Sequence, residues 1–255
     1  MTVRALARPS EPGSEAVESL RLRATELLPA GFEEIVEDGR LLVVAYAESS
    51  DELPPELGPW TVEDVASDWA ERWRDFHVGR LVGGRLFIGP PWETPPPGVA
   101  SVLIDPGRAF GTGGHATTLA SLELLVAQPA GGALLDLGCG SGVLSIAALR
   151  LGFSPVHACD IDPICLEVTR ENAARNDVAL EPFCADALAD PLPDAPLWIA
   201  NILRGPLEQI LARPDAAPTV IVSGLLQHEV LAAPAHRVER RVVLDGWQAL
   251  LLVRR

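Results

Sequence analysis

The chain predicts an α/β protein: a doubly wound parallel sheet closed by a C-terminal antiparallel hairpin, with a small α+β module ahead of it. Three observations carry this. Residues 133–151 read as a buried strand, a glycine turn and a helix, the corner on which doubly wound sheets are built. From Val99 onward short apolar runs alternate with helix-length segments, as parallel sheets require. Near the end, two alternating runs flank Asp245-Gly246, a strong two-residue hairpin signal.

In chain order, Thr2 to Arg8 reads as a strand and Ser14 to Leu28 as a helix. Phe32–Glu37 and Arg40–Glu48 then alternate around Asp38-Gly39, a second hairpin. This β-α-β-β order points to a ferredoxin-like module over residues 1–60. Val62 to Phe76 reads as a helix with Trp69 and Trp73 on one face, a packing pair. Pro90-Pro91 and Pro95-Pro96-Pro97 break regular structure and make 61–98 a helix plus stiff linker. The main domain, 99–255, contains strand Val102–Ile104, helix Ala116–Ala127, strand Ala133–Leu137 and an amphipathic helix Val143–Leu151. Strands Val156–Asp160, Phe183–Asp186, Leu197–Ile202 and Thr219–Ser223 follow, then the hairpin Arg237–Leu244 and Trp247–Val253.

Composition narrows the function classes. The net charge is −15 over 255 residues, which argues against a nucleic-acid partner, whose binding rests on phosphate neutralisation. Between Ala24 and Glu71 thirteen acidic residues face one basic residue, Arg40, a surface suited to a basic protein. All 20 basic residues of the chain are arginine. Cys139, Cys159, Cys165 and Cys184 form no Cys-x-x-Cys or zinc spacing, so neither a metal site nor a disulfide framework is expected. With no apolar leader and no membrane-length apolar stretch, a cytoplasmic protein is expected, monomeric and without a membrane partner.

The glycine turn carries the chemistry. Gly138, Gly140 and Gly142 stand at Gly-x-Gly-x-Gly spacing, where glycine permits close backbone approach and the helix start offers amide donors. A dinucleotide fingerprint needs a further glycine at position 143, which is Val143. Asp136 lies two residues before the turn, Asp160 ends the next strand about 20 residues on, where a ribose-binding acid belongs, and Asp186 ends a third. The run Asp-x-Gly-x-Gly-x-Gly resembles the first motif of S-adenosylmethionine-dependent methyltransferases. That resemblance implies a seven-stranded methyltransferase (Rossmann-like) sheet. It also implies a ligand with an amino group and a sulfonium, suited to a carboxylate, Asp136, at the site's mouth, and an adenine meeting Asp186.

Two longer segments sharpen the resemblance. Ile104–Thr118, IDPGRAFGTGGHATT, and Ala200–Leu207, ANILRGPL, closely resemble the ribosomal protein L11 methyltransferases, as do the SGLL tract before Gln227 and the tryptophan after Asp245-Gly246. The likeness is good over residues 65–255 and rests on element order alone over the first 60. It implies S-adenosyl-L-methionine as cofactor and methyl transfer to lysine side-chain and N-terminal amines of a basic ribosomal protein, with residues 1–60 recognising that substrate. By position, Thr118, Gly138, Asp160 and Asn201 match the family's cofactor contacts, and Gly140 and Gly142 complete the turn. Asn201 also resembles the polar strand-end residue that orients an amine. It is followed by Ile202-Leu203 rather than by the Pro-Pro-aromatic sequence of nucleobase and glutamine methylases, which favours a flexible amine. His115 reads as a helix-start cap rather than a base. Methylation of another protein or small-molecule amine, and a non-catalytic S-adenosylmethionine-binding module, remain alternatives. A nicotinamide oxidoreductase is disfavoured by Val143 and the terminal hairpin.

Overall fold

A computed structural model of the chain describes residues 2–7, 24, 27, 28, 33–37, 40–47, 53–57, 60–65, 78–105 and 113–255. The chain divides into two compact units, Met1–Phe76 and His77–Arg255.

The first unit contains β1 (Thr2–Ala7), β2 (Glu33–Glu37), β3 (Arg40–Ala47) and β4 (Thr61–Val65). They form one sheet in the order β2-β3-β1-β4 with every neighbouring pair antiparallel. Glu37 faces Arg40 at the end of the β2–β3 ladder, the register that a two-residue connection imposes. The residues of β4 correct the helix expected over Val62–Phe76. Beta-branched Thr61, Val62 and Val65 suit a strand, and pairing with β1 overrides the local helical periodicity. Trp69 and Trp73 lie outside the described residues, as does most of the expected Ser14–Leu28 helix. Of that helix Ala24 is buried and Leu28 N–H bonds its carbonyl at 2.9 Å. β3 and β4 both run antiparallel to β1, so their connection crosses over. Among the described residues it carries only a 3-10 turn, Pro55–Leu57, with Leu57 packed beside Val43 and Ala24. Trp60 is fastened there by its indole N–H to the Pro54 carbonyl, 2.8 Å.

The second unit opens with β5 (Arg80–Val82), β6 (Leu86–Gly89) and β7 (Ala100–Leu103). β5–β6 is an antiparallel hairpin and β6–β7 is parallel. The proline-rich stretch therefore connects β6 to β7 inside this unit instead of separating domains. It cannot donate to a ladder, and the chain turns there. After it come α1 (Ala116–Val126), β8 (Leu134–Leu137), α2 (Val143–Arg150), β9 (Val156–Asp160), α3 (Pro163–Arg175) and β10 (Phe183–Cys184). The series ends with β11 (Leu197–Asn201), α4 (Arg204–Leu211), β12 (Thr219–Leu226), β13 (His236–Leu244) and β14 (Trp247–Arg254). The large sheet has the order β10-β9-β8-β11-β12-β14-β13. Its first five strands are parallel, and β14 and β13 join antiparallel.

Side-chain parity organises the core. Leu134, Leu197, Ile199, Ile221, Ala249 and Leu251 face one apolar cluster, shared with α1, α2 and the three-stranded sheet. Their neighbours Leu135, Trp198, Ala200, Val220, Val222, Leu250 and Leu252 face the other, shared with α4. Period-two alternation with both faces apolar is what a sheet covered on both sides requires. α4 presents one stripe, Leu207, Ile210 and Leu211, at the i, i+3, i+4 spacing of a single face. α2 differs from the amphipathic helix that its sequence predicts. It is buried at every position from Val143 to Ala148, because the sheet, α1 and β7 enclose it.

Asn176 joins the three-stranded sheet to α3. Its Nδ2 donates to the Leu103 carbonyl and its Oδ1 accepts from the Leu103 amide, both at 2.7 Å, so one carboxamide mimics a strand partner. Asn176→Ala should destabilise the protein by about 2–4 kcal/mol, since two half-buried backbone groups lose their partners. Urea denaturation would measure this; a loss within roughly 0.5 kcal/mol would show that water replaces the carboxamide.

Candidate active site

The strand order reverses between β8 and β11, and ligands of doubly wound sheets bind at the carboxyl ends of the strands beside such a switch point. A cavity of about 500 Å³ lies there. Gly138, Cys139 and Gly140 line it after β8, Asp160 and Ile161 at the end of β9, Ala185 to Leu188 after β10, and Asn201 to Leu203 at the end of β11. Thr118 of α1 lines it beside Asn201. Of the expected site residues, Thr118, Gly138, Gly140, Asp160, Asp186 and Asn201 meet at this cavity, and Asp136 and Gly142 do not.

Gly138 has φ +73°, and a Cβ there would stand 2.8 Å from Ile202 Cγ2, so the turn reaches β11 only without a side chain. Gly142 caps α2 and turns toward Thr169 of α3, a packing role. The turn amides are not open donors, contrary to the sequence expectation. Gly138 and Cys139 N–H both bond the Cys159 carbonyl, Gly142 N–H bonds Cys139, and Gly140 N–H donates to Asp160 Oδ2 at 2.9 Å. A pyrophosphate would find those donors already used. Asp160 is pinned on its other oxygen by Asp162 N–H at 3.0 Å. Asp186 accepts from Leu188 N–H at 2.9 Å. Both carboxylates are thus held at the rim, and no arginine lies among the cavity's described lining residues.

Asp136 needs the plainest correction. It is 1% exposed, with Oδ2 accepting the Ser145 hydroxyl at 2.6 Å and Oδ1 lacking a hydrogen-bond partner. Strand parity explains this: Leu134 and Asp136 point under α2, and only the turn beyond them reaches the cavity. Burial pushes its carboxyl up to about 7, the Ser145 hydroxyl opposes the shift and the Asp160 charge adds to it. Cys165, which lines the cavity, is pushed up to about 11, chiefly by burial and then by Asp160. Burial also raises Cys139, so both thiols facing the cavity stay protonated at neutral pH.

Asn201 falls on the α1 face by the same parity, two residues beyond Ile199. Its Nδ2 donates to Thr117 Oγ1 at 3.1 Å and Thr118 Oγ1 at 3.4 Å. His115 caps α1, its Nδ1 accepting from the Thr117 amide at 3.3 Å. On the far side of Asn201–Leu203 a second cavity of about 330 Å³ is lined by His115, Thr117, Gly224 and Trp247. The His115 and Trp247 rings meet edge-on at 5.3 Å. Sequence reasoning passes over Thr117 and Gly224. Gly224 is detectable as a lone glycine inside the apolar run Val220–Leu226, a bulge signal. There the β12–β14 register shifts, and a Cβ would stand 2.2 Å from the Ile202 carbonyl oxygen.

Comparison with known proteins adds to this geometry. A family profile described as ribosomal protein L11 methyltransferase (PrmA) matches residues 30–253. A ribosomal protein L11 methyltransferase of Azotobacter vinelandii is 43% identical over 215 residues, 78% of this chain and 73% of that protein. One from Chromohalobacter salexigens is 44% identical over 169 residues, 64% of this chain and 55% of that one. Among solved structures, ribosomal protein L11 methylase from Lactobacillus delbrueckii subsp. bulgaricus superposes with a TM-score of 0.63 at 30% identity. The match covers 70% of this chain and 99% of that one.

The Asp136 carboxyl makes stability pH-dependent. Its folded-state pKa is raised above the ordinary 3.8 to about 7, so its contribution is full below pH 4 and is lost as pH rises through 7. Asp136→Asn cannot ionise. The variant's stability relative to wild type should therefore climb by roughly 2–4 kcal/mol between pH 4 and 8, read by chemical denaturation at stepped pH. A constant difference would mean that Asp136 is ionised throughout.

Proposed function

The chain belongs to the ribosomal protein L11 methyltransferase family, and on that premise we propose that it transfers methyl groups from S-adenosyl-L-methionine to amines of ribosomal protein L11, lysine side chains and the N-terminus included. The observation that carries the reading is the position of Asn201, which lines both cavities at once. One suits the methyl donor and the other the approaching amine.

The larger cavity fits the donor. Among its described lining residues the walls are mostly apolar, the charged side chains are the carboxylates of Asp160 and Asp186, and the glycine-turn amides are already bonded, as suits a cationic ligand without phosphate. Asp160 would hold the ribose hydroxyls and Asp186 the adenine edge, with Thr118, Gly138 and Gly140 beside them. When bound, S-adenosyl-L-methionine supplies an electrophilic methyl together with its own leaving group. The protein's part is alignment and partial exclusion of water. A lysine ammonium, with an ordinary pKa near 10.4, must first lose a proton to solvent. Asn201 Oδ1 then accepts an N–H of the neutral amine and aims the nitrogen lone pair. The protonated thiols of Cys139 and Cys165 offer no competing thiolate, the form that would itself take a methyl.

Residues 1–60, with the strand β4 that completes their sheet, are proposed to recognise the basic substrate. The strand order β2-β3-β1-β4 supports a ferredoxin-like reading of this unit, and its acidic excess supports a basic partner. Among the described residues no helix is long and apolar enough to cross a membrane. A monomer acting in the cytoplasm, with no nucleic acid contacted directly, completes the proposal.

Mass spectrometry of ribosomal protein L11 incubated with the protein and isotope-labelled S-adenosyl-L-methionine tests the activity; absence of label on any amine would overturn it. In Asn201→Ala, kcat at saturating cofactor should fall at least ~10-fold with a smaller loss of cofactor affinity, because the lost contact matters most once the nitrogen is aligned. Unchanged kcat would reduce Asn201 to a binding residue. Raising salt from about 50 to 300 mM should raise KM for ribosomal protein L11 several-fold through screening and leave cofactor affinity nearly constant. A salt-independent KM would remove the acidic face from recognition.

A further inference from the structure

The carboxamide of Asn201 has a donating end and an accepting end, and among the described residues only the first is engaged. Nδ2 donates to the hydroxyls of Thr117 and Thr118, while no described hydrogen bond reaches Oδ1. The Thr117 hydroxyl in turn lies 2.7 Å from His115 Nδ1. The direction of that contact follows from the backbone. The Thr117 amide can only donate, and it points at the same Nδ1, so Nδ1 carries the lone pair and the ring proton sits on Nε2. Thr117 therefore gives its hydroxyl hydrogen to His115 and offers its lone pairs to Asn201. A reversed carboxamide would set Oδ1 against the nearer of the two hydroxyl oxygens, that of Thr117, which has no hydrogen left to give, and would turn the NH2 group toward the amine.

We infer that Thr117 and His115 are positioning residues, which set the Asn201 carboxamide with its oxygen toward the acceptor amine through a hydrogen-bond chain that starts at the α1 cap. The inference rests on the reading that Asn201 orients that amine. Several contacts hold the chain rigid. Thr117 is 2% exposed. The Ser223 hydroxyl, opposite Asn201 in the β11–β12 register, donates to the Thr117 carbonyl at 3.1 Å and shares that hydrogen with the Gln248 carbonyl at 3.2 Å. Trp247 braces the His115 ring edge-on. His115 is also kept below its ordinary pKa by burial, which preserves the Nδ1 lone pair at neutral pH. Helix cap, carboxamide orientation and acceptor cavity thus form one unit, in which a supporting residue aims the group that touches the substrate.

Four variants of the full-length protein test this through two readouts: exchange of the Asn201 side-chain NH2 measured by 15N-resolved NMR, and steady-state methyl transfer to ribosomal protein L11. Thr117→Val keeps the shape and removes the hydroxyl. It should speed Asn201 amide exchange at least ~10-fold and lower kcat by about 10-fold, with S-adenosyl-L-methionine affinity within roughly 3-fold of wild type. Thr117→Ser should restore both. His115→Asn places a carboxamide oxygen near the Nδ1 position and is itself a good cap, so it should restore exchange protection and kcat that His115→Ala loses. Unchanged Asn201 exchange in Thr117→Val would overturn the inference. So would His115→Asn being as inactive as His115→Ala, because the histidine would then act by proton transfer. A wild type that transfers no methyl to ribosomal protein L11 would count against the proposed function, and the exchange data would still decide how the carboxamide is held.

Discussion

Ile202 passes between two glycines, and both cavities take their shape from that passage. On one side Gly138 brings the turn after β8 within 2.8 Å of Ile202 Cγ2, measured to the position a Cβ would occupy. On the other, Gly224 brings β12 to 2.2 Å from the Ile202 carbonyl oxygen by the same measure. A side chain at either place would push residues 201–203 sideways. That segment lines both cavities, of about 500 and 330 Å³. In-line transfer between two reactants tolerates little misplacement. A rigid partition carrying Asn201 is a direct way to hold the alignment.

Around this partition the polar groups are already engaged. The turn amides are bonded to Cys159, Cys139 and Asp160, Asp160 is fixed by Asp162, and Asn201 Nδ2 is taken by the threonines of α1. Among the described lining residues, the site offers a ligand carboxylate oxygen, carboxamide oxygen and apolar surface. Such a site attracts cations and hydrogen-bond donors and offers little to phosphate. Burial, and after it the charges of Asp160 and Asp162, hold Cys165 protonated.

The family match begins at residue 30, and the chain spans 73% of the Azotobacter relative's length and 55% of the Chromohalobacter relative's. A crossover from β3 to β4 carries, among its described residues, only the 3-10 turn Pro55–Leu57. Leu57 and Trp60 reach the face of β3 from it.

The strand–turn–helix corner, the strands ending at Asp160 and Asn201 and the terminal hairpin were determined by sequence alone. Each depends on local periodicity, turn chemistry or a strand end, and these operate within a few residues. Asp160, Asp186 and Asn201 are legible for the same reason: a polar residue ending an apolar run has few places to go. Thr118 ends no such run and is legible only through the resemblance of the Ile104–Thr118 segment. Tertiary structure decided the rest. Asp136 lies under α2 rather than at the mouth because parity along β8 and the covering helix set its direction, which the Asp-x-Gly spacing does not reveal. Val62–Val65 form a strand because β1 offers an open edge, a partner distant in sequence. Gly138 and Gly140 lack free amides because Cys159 and Asp160, on the neighbouring strand, accept them. Thr117 gains its place only when β11 brings Asn201 against α1, a hydrogen bond spanning 84 residues that no local pattern encodes.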